Sequence, residues 1–276
     1  MNKRKKCPLC NTNSFKLIEK VNINNSKLSS FIESNYKMGD FLKANNYFYE
    51  LRYCKSCGSR YQVNVLEDKE SKNFYSKSIK ANRSFLKQLF NYKKNFFIRK
   101  KTAKLIKNLL KSKEDKIYKA LEVGAGWGFF SHLSKDFNLD FTTLEISDER
   151  REFHSFLKLK NIANFNQALI NGYKFDLIYS NQVLEHISDL GKFMDNCKKL
   201  LVINGYFIAE YPSYNNYFHY LFKRKSFYND KRTKTLEHLQ LISDSGIRKL
   251  LDSTDAFEYS NKLPSVPKSV CPLTMR

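Results

Sequence analysis

Four of the six cysteines form two closely spaced pairs, and this pattern is typical of a metal site. Cys7 and Cys10 form one C-x-x-C pair, and Cys54 and Cys57 form the other. Each pair can form a tight turn that aims two thiolates at one point, and four thiolates complete a closed tetrahedral zinc site with no position open to a reactant. A redox pair or ordinary buried thiols are the alternatives, but the βαβ pattern in which a thioredoxin-type motif lies is absent around the two cysteine pairs. We therefore predict a structural Zn2+ ion at Cys7, Cys10, Cys54 and Cys57.

The connection between the two cysteine pairs is longer than the roughly 15–20 residues that are usual in such zinc sites. A longer connection needs an inserted hairpin or helix between the two metal-binding turns. The Asn- and Ser-rich stretch from Asn22 to Asn46 is where we expect this insertion.

A glycine-rich turn lies between a predicted buried strand and a helix, where nucleotide ligands bind. The strand Lys119–Val123 leads directly into the glycine loop, Gly124–Gly128. Glycines permit a tight turn and let a ligand approach the backbone and the helix N-terminus. Glu145 ends the next strand, where a carboxylate can accept hydrogen bonds from both ribose hydroxyls of an adenosine. Because Trp127 and Phe129 crowd the space that a pyrophosphate would use, the pattern favours an adenosine ligand without a pyrophosphate.

The elements that must position this loop alternate along the chain. The predicted strands are Lys119–Val123, Phe141–Leu144, Phe175–Tyr179 and Tyr206–Tyr211. One helix is predicted after the glycine loop, one is capped by Asp148 and runs through Leu157, and one covers Leu190–Leu201. Strands that alternate with helices favour a parallel sheet with helices on both faces. Apolar residues at helical spacing from Glu67 to Leu110 predict helices that join the cysteine-rich part to this sheet.

Two segments of the chain resemble motifs of the class I S-adenosylmethionine-dependent methyltransferases. Residues 121–128, Leu-Glu-Val-Gly-Ala-Gly-Trp-Gly, are similar to motif I of that family. Residues 175–189, Phe-Asp-Leu-Ile-Tyr-Ser-Asn-Gln-Val-Leu-Glu-His-Ile-Ser-Asp, are similar to its fourth-strand segment, and residues 205–212 are similar to its fifth strand. The resemblance covers residues 116–212. It implies an α/β fold, with a Rossmann-like, doubly wound sheet of seven strands that binds S-adenosylmethionine over the carboxyl ends of its strands.

The resemblance also implies which residues bind the cofactor. Glu122 and the three glycines would border the methionine part, and Glu145 would bind the ribose. Gln167 and Ala168 would contact the adenine, at a place where most members of the family have an acidic residue. The complete set of cofactor-binding residues that we expect is Glu122, Gly124, Ala125, Gly126, Gly128, Glu145, Ile146, Gln167, Ala168 and Asn181.

The front of the chain resembles bacterial methyltransferases that have an N-terminal zinc-binding domain. The resemblance rests on the two cysteine pairs, on Gly58-Ser59-Arg60-Tyr61-Gln62 and on Phe74-Tyr75-Ser76. Several of those enzymes act on sugars in surface polysaccharide or antibiotic pathways. The sugar C-methyltransferases among them have a further large C-terminal domain, for which this chain has no room. O-methylation of a sugar or of a phosphorylated glycan precursor, such as a nucleotide-sugar, is therefore the better interpretation, with C-methylation as an alternative.

These resemblances divide the chain into four predicted parts. Residues 1–65 form a zinc ribbon, residues 66–112 form a helical connector, and residues 113–212 form the S-adenosylmethionine-binding core. Residues 213–276 form an acceptor lid and the C-terminal part of the sheet.

Methyl transfer to a sugar hydroxyl needs a proton acceptor, which a histidine or a carboxylate can supply. His186 follows the fourth strand, at whose carboxyl end ligands bind in such sheets. His238 precedes a predicted helix near Ser243, in a segment where related enzymes often place a histidine that lines the acceptor site. We therefore expect His186 and His238 to be the catalytic residues; a helix-capping or cofactor-shaping role for the first and ordinary packing for the second are the alternatives. His132 and His154 lie on helices whose pattern indicates an exposed surface.

The chain carries a net charge of +22, from 49 Lys and Arg against 27 Asp and Glu. Such a charge favours a nucleic acid or another anion as partner, but an excess of Lys, Asn, Ile, Phe and Tyr is also what AT-rich codons encode.

Aromatic and basic residues alternate from Tyr214 to Lys234. Aromatic rings stack on sugar faces, and cations suit a phosphorylated acceptor. We expect a small-molecule acceptor. RNA or DNA methylation is the runner-up, although the Asn/Asp-Pro-Pro-aromatic run of exocyclic amino methylases is absent after the fourth strand.

Composition argues against two broad classes. With 15% aromatic residues the chain has enough apolar surface to fold, and no apolar run reaches the roughly 18 residues of a transmembrane helix. The basic N-terminus is followed by Cys7-Pro8-Leu9-Cys10 where a signal peptide would have an apolar stretch, so we expect a cytoplasmic protein. A dinucleotide-dependent dehydrogenase and a binding module without activity stay as alternatives.

Overall fold

The computed structural model describes residues 1–77, 81–110, 116–212, 227–228, 235–253, 257–259 and 270–275. The chain forms two compact units. The first comprises Met1–Ile79, Leu184–Met194 and Tyr211–Asp255, and the second comprises Lys80–Val183, Asp195–Glu210 and Ala256–Arg276. The two units are defined by contacts between residues, whereas the four predicted parts of the chain are defined by sequence motifs. The four parts therefore stay a prediction.

The first unit is built on a four-stranded antiparallel sheet. Its strands lie in the order β11-β4-β3-β2, with the bounds β2 Phe15–Asn22, β3 Phe48–Cys54, β4 Arg60–Gln62 and β11 Gln240–Leu241. A smaller antiparallel sheet pairs β1 (Asn2–Lys3) with β5 (Asn64–Val65). Because Gln240 on β11 pairs with Tyr61 on β4, a segment from the last quarter of the chain belongs to this N-terminal unit.

The insertion between the two cysteine pairs is helical. Helices α1 (Ser26–Tyr36) and α2 (Gly39–Ala44) connect β2 to β3, and Asn25 caps α1 by accepting hydrogen bonds from the backbone N–H groups of Lys27 and Leu28. The unit also contains α3 (Asp68–Lys77), a 3-10 helix (Leu184–His186) and α10 (Asp244–Asp252). The apolar faces of these elements form a core of buried residues: Ile23, Leu28, Ile32, Tyr36, Leu42, Tyr47, Tyr49, Leu51, Leu66, Phe74, Tyr228 and Leu236.

The second unit contains the predicted seven-stranded sheet, in the order β12-β13-β10-β9-β6-β7-β8. Five of its strands are parallel, namely β6 Tyr118–Val123, β7 Leu139–Leu144, β8 Lys160–Ile162, β9 Phe175–Asn181 and β10 Leu201–Glu210. Strand β13 (Val270–Met275) is antiparallel to β10 and to β12 (Phe257–Tyr259). The predicted α/β, Rossmann-like fold class is therefore confirmed, and the sequence did not single out β8, which has only three residues.

Helices precede the first strand of the second unit and connect the strands that follow it, as the sequence pattern predicted. They are α4 Ala81–Phe90, α5 Tyr92–Leu109, α6 Phe129–Ser134, α7 Asp148–Phe156, α8 Phe165–Ile170, a 3-10 helix Lys135–Phe137 and α9 Leu190–Leu200, which begins in the first unit. The core of the second unit lies between helices α5 and α6 and the sheet: Ala103, Ile106, Leu110, Tyr118, Ala120, Phe130, Leu139, Phe141, Leu177, Tyr179 and Ile208. None of the helices in the described part of the chain is long and apolar enough to cross a membrane.

Candidate functional site

The glycine loop between β6 and α6 has a left-handed backbone at its three glycines, with φ of +67° at Gly124, +57° at Gly126 and +72° at Gly128. A Cβ atom on Gly128 would lie 2.8 Å from Cδ2 of His154, so close packing excludes a side chain there. A Cβ atom on Gly126 would meet no described atom within 4 Å. The loop is packed at Gly128 and open at Gly126, which lets a ligand approach its backbone.

His154 on α7 holds the glycine loop in place. The side chain is fully buried, contrary to the expectation that its helix is exposed. Nε2 lies 2.9 Å from the carbonyl oxygen of Gly126, and Nδ1 lies 2.8 Å from Oγ1 of Thr143 on β7. Because a carbonyl oxygen only accepts, Nε2 carries the proton of the neutral ring. The Thr143 hydroxyl has one proton, which Nδ1 shares with the carbonyl oxygen of Lys160, 3.1 Å from Oγ1. Burial lowers the pKa of His154 and so favours that neutral form.

Glu145 connects the end of β7 to the same loop. It is 4% exposed, and its Oε2 accepts a hydrogen bond of 2.9 Å from the backbone N–H of Gly126. Its Oε1 accepts a hydrogen bond of 3.1 Å from the N–H of Ser147 and lies 3.7 Å from Nη1 of Arg150. Since each carboxylate oxygen has two lone pairs, Glu145 can accept these bonds and still accept from a ligand hydroxyl.

Glu122 is buried near the end of β6, where its Oε2 accepts a hydrogen bond from Oγ of Ser131 on α6. Burial raises the pKa of Glu122 to about 7, an effect that the Ser131 hydrogen bond opposes. Arg99 also lowers this pKa, and the charge of Glu145 raises it. A nearby cation favours the carboxylate form, so the charge of Glu122 depends on what occupies the site.

The other predicted cofactor residues lie in the second unit as well. Ala125 is part of the glycine loop, and Ile146, which is 36% exposed, follows Glu145. Ala168 is buried on α8, whereas Gln167 is exposed, and its Oε1 accepts a hydrogen bond from the N–H of Ala163.

Asn181 ends β9 and belongs to a polar chain that sequence reasoning missed. Its Nδ2 donates to Oη of Tyr179 at 3.2 Å, and Tyr179 donates to Oε1 of Glu210 at 2.6 Å. Burial raises the pKa of both Tyr179 and Glu210. Asn181 and Glu210 are register partners at the carboxyl ends of β9 and β10, so the pairing of the two strands brings these polar groups together.

The aromatic residues of the glycine loop pack against helices. The ring of Trp127 is 5% exposed and lies 4.8 Å from that of Phe85 on α4 and 5.6 Å from that of Phe153 on α7. Phe129 also contacts Phe153, with ring centroids 5.7 Å apart. This aromatic cluster fixes the loop to the two helices.

In the first unit, the four predicted metal ligands converge to form the cysteine cluster (Cys7, Cys10, Cys54 and Cys57). The four sulfur atoms lie within 4.8 Å of one another, with 3.7 Å between Cys7 and Cys57 and 3.4 Å between Cys10 and Cys54. Tetrahedral bonds of about 2.3 Å to Zn2+ place sulfur atoms about 3.8 Å apart. All four are free cysteines. Their spacing therefore fits one tetrahedral metal ion and not two disulfides.

The two predicted catalytic histidines also lie together in the first unit, with ring centroids 4.9 Å apart and planes at 75°. Nδ1 of His186 lies 2.8 Å from the carbonyl oxygen of Glu237 and 3.0 Å from Oη of Tyr75. Glu185, which is 1% exposed, places Oε1 3.8 Å from Nε2 of His186, and burial raises the pKa of Glu185 to about 7. The sequence alone assigned no role to Tyr75, Glu185 or Glu237, although the first two lie in motifs that carry the family resemblance.

Hydrogen bonds from two side chains of the first unit to backbone carbonyl oxygens hold the segments that contain His186 and His238. Arg4 donates to the carbonyl oxygens of Ser188 at 2.6 Å, Ile187 at 3.1 Å and Leu239 at 3.3 Å. Gln62 on β4 donates through Nε2 to the carbonyl oxygen of His238 at 2.8 Å. The residues around the cysteine cluster thus position His186 and His238.

The aromatic and basic segment Tyr214–Lys234, part of the predicted acceptor lid, lies largely outside the described residues. The two described residues of that segment, Phe227 and Tyr228, pack against the core of the first unit, and the ring of Tyr228 lies 6.2 Å from that of Tyr49.

Comparison with solved structures finds several that are similar to this chain. A structure of the plantazolicin methyltransferase BpumL with a triazolic desmethylPZN analogue and S-adenosylhomocysteine (SAH) is 12% identical, covers 71% of this chain and 91% of its own, and has a TM-score of 0.53. A second BpumL structure, in complex with SAH, is 11% identical, with coverages of 71% and 90% and a TM-score of 0.51. The N-methyltransferase NodS from Bradyrhizobium japonicum WM9, in complex with SAH, is 14% identical, with coverages of 64% and 86% and a TM-score of 0.44.

No curated protein sequence matches the chain. A family model described as "Methyltransferase domain" matches residues 92–256, which is more than half of the chain. The match includes the glycine loop, Glu145 and the whole parallel sheet. The chain therefore belongs to this methyltransferase family, and it is an S-adenosylmethionine-dependent methyltransferase with the class I fold.

Proposed function

We propose that the enzyme transfers the methyl group of S-adenosylmethionine to a hydroxyl oxygen of a sugar or of a phosphorylated glycan precursor. The observation that carries this proposal is the pair of histidines 4.9 Å apart, each partly exposed, beside the Tyr75 hydroxyl. A neutral imidazole can accept the proton of a hydroxyl, and the phenol can hold the acceptor by a hydrogen bond. Such an arrangement suits an acceptor that must lose a proton.

The cofactor contacts are part of the proposal. We assign the ribose hydroxyls to Glu145 and the methionine part to Glu122 and the open backbone at Gly126. Glu122 is buried, so an ionised carboxylate there gains most from a neighbouring sulfonium or ammonium. Ile146, Gln167 and Ala168 would contact the adenine, and Asn181 would lie beside the transferred methyl group.

The reaction requires little covalent participation of the protein. The bond between the methyl carbon and the sulfonium breaks as the bond to the acceptor oxygen forms, which leaves SAH as the second product. In-line positioning of the oxygen and exclusion of water supply most of the acceleration. The hydroxyl proton passes to His186 or His238, whereas an acceptor that is already ionised would need neither.

We also propose that the cysteine cluster holds a structural Zn2+ ion. Four cysteine ligands close the coordination sphere, so the ion has no position for a reactant. Its role would be to stabilise the turns next to β3 and β4. Gln62, on β4, donates a hydrogen bond to the backbone carbonyl oxygen of His238.

Mass spectrometry of nucleotide-sugars incubated with the enzyme and methyl-labelled S-adenosylmethionine tests the acceptor class. We expect one labelled methyl group on a sugar oxygen, and a strong loss of turnover in His186→Asn and His238→Asn but not in His132→Asn, whose side chain is exposed. A methyl group on carbon would favour the C-methyltransferase alternative. Absence of any sugar product, with turnover on another acceptor class, would refute the proposal.

The net charge of +22 favours a second candidate, methylation of RNA or DNA. Binding of a nucleic acid through many phosphates weakens steeply as salt concentration rises. A steep salt dependence of RNA binding, together with label transfer to RNA, would favour this function over sugar methylation.

A further inference from the structure

Three side chains of the first unit form a second group with metal-binding chemistry, the histidine cluster (Glu185, His186 and His238). One ligand atom from each lies within 4.8 Å of the others. Two imidazoles and one carboxylate are ligands that divalent transition metals prefer, and they differ from the four thiolates of the cysteine cluster.

The hydrogen bonds of His186 determine which ring nitrogen can bind a cation. Nδ1 lies 2.8 Å from the carbonyl oxygen of Glu237, and a carbonyl oxygen only accepts. Nδ1 therefore carries the proton, and the lone pair of the neutral ring is on Nε2. Nε2 is the nitrogen beside Glu185, 3.8 Å from Oε1. Metal-binding histidines are commonly oriented by such a bond from their other nitrogen to a backbone carbonyl.

The carboxylate of Glu185 also favours a bound cation at this cluster. It is 1% exposed, and neither of its oxygens has a hydrogen-bond partner among the residues that the structure describes. A buried carboxylate without donors is strongly unfavourable. A positive charge between this carboxylate and Nε2 of His186, 3.8 Å from Oε1, would interact favourably with both groups.

We propose that Glu185, His186 and His238 bind one divalent transition-metal ion of the Zn2+ type. Nitrogen and oxygen ligands of Zn2+ lie about 3–3.5 Å apart, so small side-chain rotations suffice to bring the three ligand atoms into range. Three protein ligands leave at least one position open, and the side chain of His186 is 23% exposed.

The open position gives the ion a role in the reaction. A hydroxyl bound to Zn2+ is far more acidic than in water. In this role, which rests on the proposed function, the histidines are ligands of the ion that acidifies the acceptor hydroxyl. The hydroxyl proton then passes to water at the partly exposed site and not to a histidine. Binding of the ion itself does not rest on that function.

Metal counting on the full chain tests the site without donor or acceptor. With a buffered excess of Zn2+ we expect two ions per chain in the wild type and one in Glu185→Gln and in His238→Ala. The matched controls Glu152→Gln and His132→Ala replace exposed residues of the second unit and should keep two. One ion in the saturated wild type, or two ions in both cluster variants, would overturn the proposal.

Co2+ gives a second readout that needs no variant. Thiolate-bound Co2+ has an intense sulfur-to-metal charge-transfer band, which a site of nitrogen and oxygen ligands lacks. We expect the first equivalent to give this band and a second equivalent to add d–d absorption without strengthening it. A second equivalent that stays unbound would overturn the proposal, whereas two bound ions with no methylation of any sugar would support the site and contradict only the proposed function.

Discussion

At the scale of single residues, Glu145 is bonded to the glycine loop and is the residue that we propose for the ribose. Its carboxylate accepts from the backbone N–H groups of Gly126 and Ser147, so the group that we assign to the ribose is already oriented before the cofactor binds. A carboxylate that is held in place loses little conformational entropy on binding. We therefore expect this one buried side chain to contribute strongly to cofactor affinity.

Glu145→Ala should weaken SAH binding by about 1–3 kcal/mol, because hydrogen bonds to a charged group are worth about that much. Glu145→Gln should fall between alanine and the wild type, since an amide oxygen can still accept from Gly126. Isothermal titration calorimetry measures both affinities. The control is Glu149→Ala, which removes an exposed carboxylate from the first turn of α7. Equal affinities in all four proteins would remove Glu145 from the cofactor site.

Glu122 should make the stability of the enzyme depend on pH. Burial raises its pKa from 4.5 to about 7, so the folded state binds the proton more tightly than the unfolded state. The stability that this proton supplies is present below pH 4.5 and is lost as the pH rises to about 7, by about 3 kcal/mol in total.

Urea denaturation of cofactor-free wild type and Glu122→Gln, compared at each pH, isolates this contribution. The wild type should become progressively less stable than the variant as the pH rises across that range, because glutamine keeps a neutral partner for Ser131. Glu152→Gln, at an exposed position, should show a constant difference from the wild type. A constant difference for Glu122→Gln as well would contradict the assignment.

At the scale of elements, the pattern of apolar strands and helices predicts most of the parallel sheet. Long buried strands such as β6 and β9 can be recognised in the sequence by their continuous apolar residues. The turn after β6 can be recognised by its glycines. Short elements do not: β8 has three residues, and β11 has two and pairs with β4 from far along the chain. Such pairings depend on tertiary contacts that no local window contains.

His154 shows why part of the site escaped prediction. Five of the first six residues of α7 are charged or polar, which is typical of an exposed helix, so the one histidine that faces inward is hidden by its neighbours. Its partners, Thr143 and Gly126, lie on β7 and in the glycine loop. Sequence spacing carries no signal for a bond that joins three separate elements.

The link that His154 makes between α7 and the glycine loop can be tested with two isosteric variants. His154→Gln can place an amide N–H near the position of Nε2 and keep the bond to Gly126, whereas His154→Asn is too short to reach it. We expect the Kd of SAH to rise roughly tenfold for the asparagine variant, equal to about 1.4 kcal/mol, and less for the glutamine variant. Calorimetry measures both, and a larger loss in the glutamine variant would contradict this role.

At the scale of the whole molecule, the candidate cofactor residues and the two candidate metal clusters lie in different units. The ten candidate cofactor residues lie in the second unit, whereas the cysteine cluster and the histidine cluster lie in the first. The net charge of +22 belongs to the chain as a whole, and in the part that the structure describes the candidate cofactor site has two acidic residues of its own, Glu122 and Glu145. Charge alone therefore says little about the acceptor.

This division predicts that loss of the cysteine cluster separates cofactor binding from methyl transfer. Cys54→Ser should lower the metal content by one ion and reduce the hydrogen-exchange protection of β2, β3 and β4, because three thiolates no longer close the tetrahedral site. SAH affinity, measured by calorimetry, should change less than about twofold, since every candidate cofactor residue lies in the other unit. Methyl transfer should fall strongly, because the contacts of Arg4 and Gln62 that hold the histidine segments depend on that part of the first unit.

The control is Cys197→Ala, which removes a buried thiol of the second unit and should keep the metal ion of the cysteine cluster. Unchanged transfer in Cys54→Ser after loss of its metal would show that the first unit positions its histidines without the ion.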